Sequence, residues 1–393
     1  MRLRNIFARE RYTDWKVFHL TVTGKYLSFP YNPLAALKTL LFYSGGELVF
    51  DMTERVDFCT PDRTVYMDCS RWNGLDVTIV CEAEDTVICE DCAQLKDAGG
   101  APLIGQCDCV PESDSSSGEP RPFIHFTRKR GWLSDPNGPV YFDGKYHVFF
   151  QSNPVSAEHR NMHWGHVCSE DLFRWQELPE ALYPDEDGEV FSGSAIVNKD
   201  RLLLFYTAAG GMTRLSAGRS FRICTAGSPD GVTFSPLKKG IIPSGKAEYS
   251  RDPKVVFCPE LNVYLMLIYR SGSSYALMSS CDLNTWRFEQ LIELPEDSEC
   301  PDLYKLYADG NPGRPYWIIS GASDRYLIGR FERQFQDDEQ KNASDGIVFV
   351  PAQRSGRLHF GNASYAGQSF FGTPDGDVKR HTWLTAELSS ACV

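Results

Sequence analysis

The chain has 393 residues, enough for two or three domains, and 42% hydrophobic content with 13% aromatics is ample for packed cores. Its 52 acidic residues against 40 basic ones leave a net charge of -12, which repels phosphate backbones and anionic surfaces, so neither nucleic acid nor a membrane is expected as a partner. No apolar run approaches the roughly 20 residues of a membrane span, and the basic start, MRLRNIFARERYTDW, has no apolar stretch of a secretory signal behind it, so a cytoplasmic protein is expected.

In the first quarter, Lys25–Phe29, Glu47–Phe50, Thr64–Met67 and Asp76–Cys81 are short, partly alternating runs rich in β-branched and aromatic residues, separated by Gly, Pro and Asp turns. They predict a small all-β, sandwich-like domain over residues 1–95. Residues 96–121, rich in Gly, Pro, Ser and acid, read as a linker. The thirteen cysteines form an odd, scattered set that fits a reducing compartment. Among them Cys89-x-x-Cys92 and Cys107-x-Cys109 are a candidate zinc site, because four thiolates at such spacing can hold a tetrahedral ion; ordinary linker thiols are the plainer reading. No other metal and no cofactor is expected.

Beyond the linker the chain repeats itself. Ser169, Asp171 and Trp175 recur as Ser228, Asp230 and Phe234, and again as Ser280, Asp282 and Trp286, with the same internal spacing. Around them lie five hairpin patterns: 139–151 turning at Asp143-Gly144, 194–207 at 198–200, 254–269 at 259–262, 302–320 near 310–313, and 365–384 near 374–376. Their starts are roughly 50 to 60 residues apart, the scale of a four-stranded propeller blade. The prediction is an all-β, five-bladed β-propeller over residues 122–393. The sequence stops soon after the fifth hairpin, so the fifth blade is expected to be incomplete, and either a second chain or an oligomer completes it, or the N-terminal domain covers it, or this is a truncated product.

In a propeller the first strand of each blade lines the axis, so residues at its beginning converge at one end of the channel. Asp135 stands just before the first hairpin, Asp252 before the third and Glu299 before the fourth. Taken singly, each acid reads as a turn former; Asp135-Pro136-Asn137-Gly138 would make a β-turn by itself. Their shared phase instead places three carboxyl groups together, and glycosidic cleavage needs two, one to attack or activate water and one to protonate the leaving oxygen. Trp132, Trp164 and Phe191 nearby are either sugar-stacking faces or ordinary propeller core.

These segments resemble motifs of glycoside hydrolase family 32, the invertases, inulinases and levanases. Trp132-Leu133-Ser134-Asp135-Pro136-Asn137-Gly138 is similar to its W-M-N-D-P-N-G, Arg251-Asp252-Pro253 to its R-D-P, and Glu299-Cys300 to its E-C. Gln151 to Pro154, Trp164-Gly165-His166 and Phe191-Ser192-Gly193-Ser194 resemble Q-Y-N-P, W-G-H and F-S-G-S. The resemblance covers about residues 121 to 385. It implies a retaining β-fructofuranosidase acting on levan-type or inulin-type fructans or sucrose, with Asp135 as nucleophile, Glu299 as acid/base and Asp252 stabilising the transition state. Trp132, Asn137, Gln151, Trp164, Phe191, Ser192 and Arg251 would serve the same pocket. In a retaining pair the two carboxyls stand roughly 5 to 5.5 Å apart. Ser134 replaces the usual Asn, which leaves hydrolysis against fructosyl transfer open, Ser152 replaces the usual aromatic, which is expected to loosen the pocket rim, and the family's C-terminal β-sandwich is not in this sequence. A fructan-binding or inactive truncated propeller without turnover is the competing reading, and a propeller acting on arabinan or xylan a third, disfavoured by the W-L-S-D-P-N-G run.

Overall fold

The computed structural model describes residues 16–81, 104–111, 125–241, 250–334, 346–359, 361 and 363–384. Seven strands come first: β1 (Lys16–Thr21), β2 (Tyr26–Tyr31), β3 (Lys38–Ser44), β4 (Glu47–Glu54), β5 (Arg63–Asp68), β6 (Asp76–Cys81) and β7 (Gly105–Cys107). In β2 the alternation is plain, since Leu27, Phe29 and Tyr31 turn inward while the residues between them are half-buried. One sheet has the order β1-β6-β3-β4 and the other β5-β2-β7. Their apolar faces form one core, in which Phe42 stacks on Trp72 at 5.4 Å and meets Phe50 at 5.3 Å.

Within the span expected to be a linker, Gly105–Cys107 is a strand of this sandwich, paired with Tyr26–Ser28, and Ile104 is buried in the core. Gln106 explains it. Its side-chain oxygen accepts from the amides of Thr23 (2.8 Å) and Gly24 (3.2 Å), and its amide donates to the Thr21 carbonyl (3.0 Å), closing the β1–β2 turn. A three-residue strand that takes its stability from its partners leaves no periodicity to read. Of the candidate zinc ligands, Cys107 is half-buried on β7 and Cys109 is exposed, while Cys89 and Cys92 lie outside the described residues. Cys59 is disulfide-bonded, which departs from the reducing-compartment expectation, whereas Cys69, Cys168, Cys224, Cys258 and Cys300 are buried thiols.

Then follow the blades. The first is β8 (Trp132–Phe142), β9 (Lys145–Asn153), β10 (His163–Ser169) and β11 (Gln176–Leu182). The second is β12 (Glu189–Asn198), β13 (Arg201–Ala209), β14 (Arg222–Ser228) and β15 (Ser235–Lys239). The third is β16 (Arg251–Cys258), β17 (Val263–Ser271), β18 (Ser274–Ser280) and β19 (Arg287–Glu293). The fourth is β20 (Asp302–Tyr307), β21 (Pro315–Ser320), β22 (Arg325–Gln334) and β23 (Gly346–Pro351), with the short β24 (Gly356–Arg357) also paired to β22. The fifth sheet has two strands among the described residues, β25 (Ser364–Ser369) and β26 (Arg380–Leu384). Each of the first four is an antiparallel meander, and the chain is an all-β five-bladed propeller preceded by a small β-sandwich.

The threefold Ser/Asp/aromatic repeat is the turn from third to fourth strand in blades one to three. Asp171 Oδ1 accepts from the amides of Phe173 and Arg174, Asp230 from Val232 and Thr233, and Asp282 from Asn284 and Thr285, all within 2.9 Å. Each serine hydroxyl donates to its aspartate at 2.7–3.1 Å. Such side-chain-to-backbone bonds favour Asp in turns. The aromatic that ends each motif packs into an inter-blade core, as Trp286 does against Phe205 at 6.3 Å.

The ring closes through main chain. Phe371, in the fifth-blade hairpin, forms a parallel bridge with Val140 of β8: its carbonyl accepts from the Tyr141 amide and its amide donates to the Pro139 carbonyl, both at 2.9 Å. The innermost strands β8, β12, β16, β20 and β25 pack consecutively right round. A buried ion cluster reinforces this, with Asp302 fully buried between Lys254 Nζ (2.9 Å) and Arg380 Nε (3.1 Å), joining blades three, four and five. Among the described residues, the chain's own strands thus join the fifth sheet to the first and fourth blades. No helix among the described residues is long and apolar enough to cross a membrane.

The sandwich docks on the rim of blades one and two. Asp51 accepts from the amides of Arg214 (2.8 Å) and Leu215 (2.9 Å), and the Arg71 guanidinium lies over Phe50, Trp72 and Tyr183. Close by, Glu189 accepts from the Asn161 amide at 3.1 Å, and burial pushes its carboxyl up to about 7. The native state thus holds a proton that the unfolded chain has lost between roughly pH 4.5 and 7, so stability falls as pH rises through that window, by at most roughly 3 kcal/mol. Glu189→Gln keeps the accepting oxygen and removes the charge. Thermal unfolding is expected to show a midpoint a few degrees higher at pH 8 and unchanged at pH 5, and equal shifts at both would refute this origin.

Candidate active site

Three irregularities at the beginnings of inner strands build the site. In β8 the pairing to β9 shifts register between Leu133 and Pro136 and again between Asn137 and Val140, so Asp135 sits in a bulge aimed off the sheet. Gly138 makes this possible: its φ is +47°, and a Cβ there would stand 2.8 Å from the Ala195 amide nitrogen of the next blade. In β12 a second bulge falls between Phe191 and Gly193, and a Cβ on Gly193 would meet the Phe205 carbonyl oxygen at 2.0 Å. Asn137 ties the two strands together by accepting from the Gly193 amide at 3.2 Å. A third bulge, between Arg251 and Lys254, carries Asp252.

The carboxyl groups then meet. Ser192 Oγ donates to Asp135 Oδ2 at 3.1 Å. The Cys300 amide donates to Asp252 Oδ2 at 3.0 Å, and its Sγ lies 3.7 Å from both Asp135 Oδ2 and Asp252 Oδ2. Glu299 precedes it, pairing with Arg251 Nη2 through Oε1 and accepting from the Tyr365 hydroxyl at 2.6 Å through Oε2. Arg251 Nε also lies 3.8 Å from Asp252 Oδ2, and its guanidinium faces the Tyr269 ring at 4.6 Å. Asp252, Glu299 and Cys300 have φ of 60°, 53° and 35°, left-handed conformations that cost of order 1–3 kcal/mol each for residues with a Cβ. The surrounding bonds hold them there: Thr207 accepts from the Asp252 amide (3.0 Å) and Tyr275 donates to the Glu299 carbonyl (3.2 Å).

Environment separates the three acids. Burial pushes Asp252 up to about 7, with the Asp135 and Glu299 charges adding to it and the Cys300 amide and Arg251 opposing. Burial likewise raises Asp135, beyond what the Ser192 hydrogen bond recovers, and the Glu299 charge raises it further. Burial acts on Glu299 too, but the Tyr365 hydroxyl and the Arg251 guanidinium outweigh it and hold this carboxyl below its ordinary value.

Of the other expected site residues, Asn137 and Gln151 are buried, and Asn137 Nδ2 and Gln151 Nε2 have no hydrogen-bond partner among the described residues. Two unsatisfied amide donors beside carboxylates suit a ligand rich in hydroxyls. Trp132 is half-buried, its ring edge-to-face with His159 at 6.0 Å, and Phe191 sits similarly against Phe221 at 5.7 Å. Trp164 differs from expectation. It is fully buried between Phe149 and Tyr206 and donates from Nε1 to the Phe191 carbonyl at 3.1 Å, so it supports the pocket from within the core and offers no face to a sugar. Sequence reasoning missed Tyr365 and Thr207. Tyr365 lies at the start of the fifth inner strand, the same phase that singled out the three acids, so extending that argument by one blade would have found it. Thr207 lies at the far end of a second strand, where no such phase applies.

The model of the "Glycosyl hydrolases family 32 N-terminal domain" matches residues 125–390. The chain is 32% identical over 286 residues to a levanase of Bacillus subtilis, covering 67% of this chain and 40% of that protein. It is 32% identical over 323 residues to a probable sucrose-6-phosphate hydrolase of Psychromonas ingrahamii, covering 74% and 56%. The exo-inulinase of Aspergillus awamori superposes with a TM-score of 0.57 at 24% identity, over 71% of this chain and 62% of that one, a likeness of fold. The chain thus spans 40–62% of the length of these three proteins.

Proposed function

Because the chain belongs to glycosyl hydrolase family 32, we propose that it cleaves terminal fructosyl bonds as a retaining β-fructofuranosidase, acting on levan-type or inulin-type fructans, on sucrose, or on both. The observation that carries this reading is the meeting of Asp135 and Asp252 at the Cys300 thiol with Glu299 next in the chain, beside the unpaired amides of Asn137 and Gln151. A levanase and a probable sucrose-6-phosphate hydrolase among the relatives support the substrate class.

In this mechanism an Asp135 oxygen attacks the anomeric carbon as the bond to the leaving oxygen breaks, and Glu299 gives that oxygen its proton. Glu299, now ionised, takes a proton from water, whose oxygen attacks the same carbon and expels the Asp135 carboxylate, releasing fructose with retention. Asp252 hydrogen-bonds fructose hydroxyls, and the negative charge around the ring favours the oxocarbenium-like transition state. Arg251 neutralises part of the crowding among three acids.

Sucrose, inulin and levan are the substrates to test. Fructose is expected to be released first as the β-anomer, followed by NMR before mutarotation. Initial α-fructose would indicate inversion and overturn the covalent step. No product from any of the three, by protein with a folded circular dichroism spectrum, would leave a binding protein in place of an enzyme.

A further inference from the structure

Besides Arg214, Leu215 and Tyr183, the sandwich meets the propeller along residues 153–161, the loop that follows Gln151, and one strand holds that loop at both ends and in the middle. Val155 is inserted into the sandwich core. β4 is an edge strand, and the amide and carbonyl of Thr53, which another strand would take, are both bonded by the Asn161 side chain at 3.0 Å. Next along, Glu54 is fully buried, and its Oε1 accepts from Asn153 Nδ2 (2.9 Å), Ser156 Oγ (2.8 Å) and Asn161 Nδ2 (2.9 Å). Arg55 Nε then pairs with Glu158 Oε1 at 2.6 Å, whose other oxygen pairs with Arg160 at 2.8 Å.

Between these anchors His159 is exposed on the pocket side. Its ring meets the edge of Trp132, and it lies near enough to Asp135 for its charge to favour that carboxylate's ionised form. A carboxyl buried with no direct ion pair among the described residues is costly even with the Arg160 charge nearby, and three converging donors compensate only while the loop keeps this shape. The carboxyl and the loop therefore specify each other.

We propose that Glu54 is a positioning residue of the fructosyl pocket, fixing His159 and Trp132 at its mouth through the 153–161 loop, so that the N-terminal sandwich is one wall of the site. The inference rests on the fructosidase reading above. It extends that site to a domain with no share in the propeller.

Glu54→Ala leaves Asn153, Ser156 and Asn161 without their shared acceptor. Amide exchange in 155–161 is expected to quicken while β17 and β21 stay protected, and kcat/KM on sucrose to fall about tenfold, mainly through KM. Loss of folded protein alone would lower kcat and leave KM. Glu54→Gln, which keeps the accepting oxygen, is expected to return KM to within about threefold of the wild type. If Glu54→Ala does not fold, Arg55→Met removes the Glu158 contact and is expected to raise KM about two- to threefold. An unchanged KM in Glu54→Ala, or in Arg55→Met where Glu54→Ala does not fold, overturns the proposal. A wild-type protein without turnover on sucrose, inulin or levan would instead remove the fructosidase reading, and this inference with it.

Discussion

Asp135→Asn is expected to lower kcat/KM on any fructoside by on the order of thousands-fold or more, at least roughly 4 kcal/mol of transition-state stabilisation, while the protein remains folded. Asparagine has the shape of aspartate and keeps an oxygen for Ser192 Oγ, but it cannot form the ester that carries the fructosyl unit. Stability should move the other way. Burial raises the Asp135 pKa, so the carboxylate is destabilised in the native state at neutral pH, and neutralising it removes that penalty. The expected pairing is a collapsed rate with a thermal midpoint equal to or above the wild type at pH 7. A rate within tenfold of wild type would sink the assignment, and a midpoint lower by many degrees would attribute the lost rate to lost structure.

Glu299→Gln is expected to cost roughly 10²- to 10⁴-fold on sucrose, whose leaving oxygen needs a proton, and far less on a fructosyl fluoride, whose leaving group needs none. Equal losses on the two substrates would reject general-acid catalysis by Glu299. In the free site this group is held below its ordinary value by Tyr365 and Arg251, whereas an acid catalyst must carry a proton when the bond breaks. A sugar entering between Arg251 and Glu299 loosens that ion pair and dries the carboxyl, both of which raise its pKa. Tyr365→Phe removes a donor to the carboxylate, so the Glu299 pKa rises and the basic limb of the kcat/KM profile should move to higher pH.

Blades one to three were legible because they repeat a turn whose chemistry needs Ser and Asp at fixed spacing, as at Ser169-x-Asp171 and Ser280-x-Asp282. The three acids were legible for a related reason, since equal phase in repeated strands becomes proximity in a ring. Glu54 was not, because a buried acid on an edge strand gains its meaning from Asn153, Ser156 and Asn161, about a hundred residues away, and β4 alone gives no sign of them. Trp164 illustrates the limit in the other direction. A motif tryptophan near the reacting groups can serve them through the carbonyl it holds as well as through its ring face.

The main-chain bridge between Val140 and Phe371 joins residues more than two hundred positions apart, so it can form only after the four blades between them have been synthesised. Asp135 is synthesised long before Tyr365 can reach Glu299, and the nascent chain carries its acids without the geometry that relates them. The geometry that relates the acids should appear abruptly, with the seating of the fifth hairpin.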